Sequence, residues 1–140
     1  MNNGLQLGLE SAAVMQVIIA LLNLRLEQLM GWQVEMERMP LLIREVHRVH
    51  AWFISATLLI FALLTWRFAG ELSTGANALG IWLCAGIAGF WGLRTILQIT
   101  YYSASHWRGN PGRTCIHVAA LLIYAGFTTV YLAAAMLGGY

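Results

Sequence analysis

Residues 49–68 read VHAWFISATLLIFALLTWRF, with Arg48 just before the run and Arg67 one residue from its end. Between those two arginines no side chain carries a fixed charge. A helix needs roughly 20 consecutive apolar residues to cross a hydrocarbon core about 30 Å thick. The run is long and apolar enough, so it reads as a membrane-spanning helix.

Working outward, three more segments meet the same criterion, at about 9–29, 76–101 and 114–137. Glu10 and Arg25 bracket the purest part of the first, and the most apolar part of the third ends at Arg94. Composition agrees: 59% of residues are hydrophobic and 10% charged, where a soluble domain carries about 25% charged. So little charge cannot clothe a surface in water, and lipid is the natural surrounding. The expected fold is all-α: a four-helix transmembrane bundle with a short amphipathic cytoplasmic segment, forming a single integral membrane domain over residues 1–140. Its formal net charge of +2 supplies no basic surface for nucleic acid. The stretch Met1 to Leu9 lacks the positive charge that precedes the apolar core of a secretory signal. The first segment is therefore expected to remain as a membrane helix.

Between the first two spans, residues 30–47 interleave apolar and charged side chains, as a segment lying along a membrane surface would. Pro40 suits the first turn of a new helix, where its missing N–H costs nothing, and that helix should run on through His47 and His50. The connection 69–75 is short, and Gly109 to Gly112 reads Gly-Asn-Pro-Gly, a strong turn signal. All eight basic residues are arginine and all six acids are glutamate. Alternating spans gather Arg25, Arg38, Arg44, Arg48, Arg94, Arg108 and Arg113 at one membrane face and leave Arg67 at the other. By the positive-inside rule the arginine face is expected to be cytoplasmic, with both termini outside. Trp32, Trp52, Trp66, Tyr101, Tyr102 and Trp107 stand where an interfacial aromatic belt would place them. In the third span Ala85 and Gly89, and Ala88 and Gly92, stand four apart with Gly86 beside them. Such spacing lets helix backbones approach closely, inside the bundle or against another subunit. Cys84 and Cys115 fall at different depths, which argues against a disulfide.

The same topology brings all four histidines, His47, His50, His106 and His117, to the arginine face. His47 and His50 are three apart, roughly 60° around a helix, and share a face. Two imidazoles so placed can contribute to a metal site, completed by His106 or His117, although no established zinc or di-iron motif is present. Haem b is the sharper idea, because it needs imidazoles facing each other from two helices. His50 and His117 are the best-placed pair. The plainer alternative is that these histidines only hydrogen-bond in the headgroup layer.

Polar residues also form stripes along the spans: Arg94, Gln98, Tyr102 and Ser105 on the third, His117, Tyr124, Thr128 and Tyr131 on the fourth, Gln16, Asn23 and Glu27 on the first. Polar groups in a membrane are expensive unless they face the protein interior, so the stripes are expected to turn inward. They either form interhelical hydrogen bonds or line a site for a quinone or another amphipathic ligand, with Arg94 and His117 as donors and Gln98 and Tyr124 among the binding residues. Arg94 calls for a partner, and Glu27, Glu45 and Gln98 are the candidates. Ser103 and Ser105 beside His106 have no nearby acid to orient a base, and no phosphate loop or catalytic carboxylate pair is visible. No independent catalytic activity is expected.

The stretch Phe90-Trp91-Gly92-Leu93-Arg94-Thr95-Ile96-Leu97-Gln98-Ile99-Thr100-Tyr101-Tyr102, followed by His106-Trp107, resembles a pattern in small bacterial four-helix membrane proteins of unassigned function. In those proteins a Gly-x-Arg-x-x-x-Gln segment and an aromatic pair close the third helix, and the fourth is Tyr-rich, as from Tyr124 to Tyr131 here. The resemblance implies a bacterial inner membrane and a four-helix fold, and carries no activity with it. Two functional readings follow from the residues. One is a small accessory or structural subunit of a larger membrane assembly, of respiratory or redox type, in contact with lipid and with other subunits or copies of itself. The other is a b-type cytochrome or quinone-binding subunit with its histidine site at the cytoplasmic face. A transporter component fits less well, since no span is interrupted by proline.

Overall fold

The computed structural model describes residues 3–102 and 108–137. Among the described residues it is all-α, with no strand, and its elements are α1 (Asn3–Leu24), α2 (Leu26–Leu29), α3 (Gln33–Arg38), α4 (Leu41–Thr74), α5 (Ala78–Thr100) and α6 (Pro111–Leu137). Four of these, α1, α4, α5 and α6, are long and apolar enough to cross a membrane. This is the architecture of a multi-pass membrane protein, in the all-α four-helix class read from the sequence.

Local chemistry sets the boundaries. The first span is expected between about Leu9 and Leu29, with Glu10 and Arg25 bracketing its purest part; α1 begins earlier, at Asn3, and stops at Leu24 because Arg25 leaves helical geometry (φ −105°, ψ 8°). A single further turn, α2, ends at Gly31, whose φ of +68° favours glycine; Trp32 N–H then donates to Glu27 O at 2.9 Å. Met39 is extended (φ −76°, ψ 147°), as a residue before proline tends to be, and this ends α3. From Leu41 the chain forms one long element through His47 and His50, as expected, up to a non-helical residue at Phe68 (φ −112°, ψ 15°). Asn77 caps α5 through its Oδ1, which accepts from Gly80 N–H at 2.6 Å; such a cap is worth about 1 kcal/mol. The last helix starts three residues before the expected apolar boundary. Asn110 Oδ1 accepts from Arg113 N–H at 3.2 Å, and Pro111 takes the first helical position, which suits its fixed φ and missing donor.

The chain divides into two compact units: Glu10–Arg67, here the α1/α4 unit, and Met1–Leu9 with Phe68–Tyr140, the α5/α6 unit. In lipid no hydrophobic force draws helices together, so close packing and polar contacts must hold each unit. In the α1/α4 unit, Ala12, Ala13, Ala20 and Ala62 are buried, small side chains that permit close approach. In the α5/α6 unit the buried set is bulkier: Ile87, Trp91, Phe127 and Tyr131, with Ala88 and Ala134 between them. Trp91 is 2% exposed, stacks on Tyr124 (centroids 5.2 Å apart, planes at 26°) and tilts against Phe127 (4.5 Å, 49°).

The small residues of α5 divide between two faces. A Cβ at Gly92 would stand 3.5 Å from Thr128 Cγ2, so this position, with buried Ala88, marks close packing against α6. A Cβ at Gly86 or Gly89 would meet nothing within 4 Å. Both cysteines are free thiols.

Candidate functional site

Polar side chains on the four spans close two helix–helix junctions. In the α1/α4 unit Asn23 is the pivot. Its Nδ2 donates to Ala51 O and to Ser55 Oγ, each at 2.9 Å, while Ser55 Oγ donates to Ala20 O at 3.0 Å. Ser55 lies in the stretch whose apolarity marked it as a span and drew no attention from the sequence. The signal that could have found it is its spacing four from Ala51, a pair of small residues on one helix face where a partner can come close.

One turn beyond Asn23, the Glu27 carboxylate lies 3.7 Å from Arg48 Nη2 and 4.0 Å from His47 Nε2. Both partners are exposed, and an ion pair of that kind contributes about 0–1 kcal/mol. His50, also exposed, has Nδ1 2.8 Å from Val46 O. A carbonyl only accepts, so Nδ1 carries the ring proton and Nε2 presents its lone pair outward. Backbone anchoring of one ring nitrogen is the usual support for an imidazole that ligates through the other. The same unit has an open groove of about 440 Å³ lined by apolar side chains, among them Val14, Val17, Leu59, Leu63 and Trp66. Its walls suit an acyl chain and supply no reactive group.

In the α5/α6 unit the stripes of the third and fourth spans meet. Gln98, buried on α5, places Nε2 2.8 Å from His117 Nδ1 on α6. An amide N–H donates, so Nδ1 accepts and the imidazole proton sits on Nε2. Metal ligation through Nε2 would need the Gln98 amide turned over, with its carbonyl accepting from Nδ1–H. Four residues before Gln98, half-buried Arg94 sets its guanidinium 5.3 Å from the Tyr124 ring centroid and 5.7 Å from that of Tyr102. Arg94 thus finds ring faces where a carboxylate or Gln98 was anticipated, and Glu27 is engaged with Arg48 and His47.

The residues named for cofactor binding fall into two groups. Arg94, Gln98, His117 and Tyr124 gather in the α5/α6 unit, whereas His47 and His50 belong to the α1/α4 unit. For the metal set His47, His50 and His106, the last lies outside the described residues, as do Ser103, Ser105 and Trp107. Among the described residues no group of three or more His, Cys, Asp or Glu comes together to hold a metal ion. No protein family matches the chain, and neither a curated protein nor a solved structure does.

Proposed function

We propose that this protein is a small accessory or structural subunit of a larger membrane assembly, of respiratory or redox type, in a bacterial inner membrane. One observation carries the reading: Asn23, Ser55, Gln98 and His117, four polar residues within the spans, are engaged in pairing the chain's own helices. Polar side chains used in this way lock helices together and stand apart from any substrate. The outward surface points the same way. Leu79, Trp82, Leu93 and Ile96 on α5 are exposed, and Gly86 and Gly89 leave room for a neighbouring helix backbone. The arginine-rich connections are assigned to the cytoplasm and both termini to the outside, on the arginine asymmetry.

Purification in mild detergent at native abundance tests the reading. A partner membrane protein, or a mass of more than one copy, is the expected result; a lone monomer in every detergent would discard it. For orientation, a cysteine introduced at residue 45 should react only after the membrane is opened, and one introduced at residue 71 in intact cells.

His50 favours a second reading, a b-type cytochrome or quinone-binding subunit, because its backbone-anchored ring offers Nε2 as a ligand atom. A reduced-minus-oxidised absorption spectrum separates the two readings. A Soret band abolished by His50→Ala or His117→Ala selects the cytochrome; a colourless protein that also carries no extractable quinone selects the accessory role.

A further inference from the structure

The α5/α6 unit has an uncompensated charge. No acid follows Glu71 in the sequence, while Arg94, Arg108 and Arg113 all do. Arg94 is the deepest of the three, six residues before the end of α5, whereas Arg113 stands in the first turn of α6 and Arg108 precedes that helix. A guanidinium cannot shed its proton, and a fixed charge within a span requires a counter-charge or a path to the interface. Two tyrosine ring faces hold Arg94, and among the described residues it faces no carboxylate. Ring faces stabilise a cation but accept none of its in-plane N–H bonds, so the fork is oriented and still has donors to offer. Tyr102 lies just past the end of α5, eight residues on from Arg94, so the guanidinium reaches toward the headgroup layer, as long basic side chains do.

We propose that Arg94, oriented by Tyr102 and Tyr124, is the seat of a phosphate group belonging to a net-anionic phospholipid. The guanidinium binds the phosphate oxygens as a two-pronged donor, a geometry that a planar fork matches and an ammonium does not. Arg108, just before α6, and Arg113, in its first turn, are both exposed and add a positive field at the same end, which selects an anionic over a zwitterionic headgroup. Exposed Leu93, Ile96 and Leu97 on α5 give the acyl chains an apolar wall. The proposal stands whether or not the chain has partner subunits.

Native mass spectrometry of the protein in neutral detergent, with micromolar phosphatidylglycerol or phosphatidylcholine added, provides the test. The expected result is one phosphatidylglycerol adduct that survives activation sufficient to strip phosphatidylcholine. Arg94→Gln should weaken it roughly tenfold to a hundredfold, the effect of losing a charge-assisted pair of hydrogen bonds. Leu79 is exposed at the opposite end of α5, and Leu79→Ala should leave the adduct unchanged. If Arg94→Gln fails to fold by circular dichroism, Arg94→Lys is read instead; it keeps the charge, loses the fork, and should bind several-fold more weakly. Equal retention by wild type and Arg94→Gln, or of the two lipids by wild type, overturns the proposal. Displacement of the lipid by millimolar inorganic phosphate would confirm a phosphate seat and make the soluble ion its source.

Discussion

Replacing Trp91 by alanine removes the centre of the α5/α6 contact, and its cost can be worked from the ring geometry. Trp91 makes two aromatic contacts across the helix pair, to Tyr124 and Phe127; its edge contact with Phe90 stays within one helix and is left out. Each cross-helix pair is worth about 0.5–1.5 kcal/mol, so the rings alone account for about 1–3 kcal/mol. A soluble core would lose about 3–5 kcal/mol on aromatic-to-alanine change, part of it for transfer out of water. Separated helices in a micelle keep the indole in hydrocarbon, so most of that transfer part is absent. What remains is the ring contacts and the void, and the loss should be about 3 kcal/mol. The assay is unfolding of the micellar protein by added dodecyl sulfate, followed by far-ultraviolet circular dichroism. Trp82, on the same helix and 76% exposed, is the internal control: Trp82→Ala should cost less than about 0.5 kcal/mol. If the two alanine variants lose comparable stability, the inward face of α5 has been misassigned.

Three other outcomes are expected. In a double-mutant cycle on Asn23→Ala and Ser55→Ala, the coupling should be about 0.6 kcal/mol, the usual worth of an interhelical hydrogen bond in a membrane protein; a null coupling would remove this bond from the account. Gln98→Leu deprives His117 Nδ1 of its donor, so the ¹⁵N resonance of that nitrogen should move, whereas an unchanged spectrum would mean that the two side chains do not meet. Gly92→Leu forces a side chain toward Thr128 and should cost about 1–3 kcal/mol, while Gly89→Leu, with open space before it, should be neutral or slightly stabilising in the isolated chain.

The four spans were legible because apolar runs between arginines are a strong signal, one that no soluble fold of this composition could produce. Helix ends were less so. The N-caps at Asn77 and Asn110 and the break at Arg25 depend on local backbone geometry, which hydropathy does not encode. The stripes on the third and fourth spans were readable from spacing, and Gln98 does reach His117. Their pairing with specific partners was not readable, since periodicity tells which residues share a face and is silent on which helix lies opposite. For that reason Ser55 is not visible from spacing alone, and Arg94, for which Glu27, Glu45 and Gln98 are the expected partners, has phenol rings as its neighbours.

The spans differ in length, and a bilayer would feel the difference. At 1.5 Å per residue, the 22 residues of α1 and the 23 of α5 come to about 33–35 Å, close to hydrocarbon thickness. The 27 residues of α4 that precede its non-helical Phe68 come to about 40 Å. That helix must tilt, bend, or stand proud of the lipid, and its first turns contain Arg44, Glu45, His47 and Arg48, which favour standing proud. Thickening the membrane by a few ångströms would draw that charged collar toward the acyl chains.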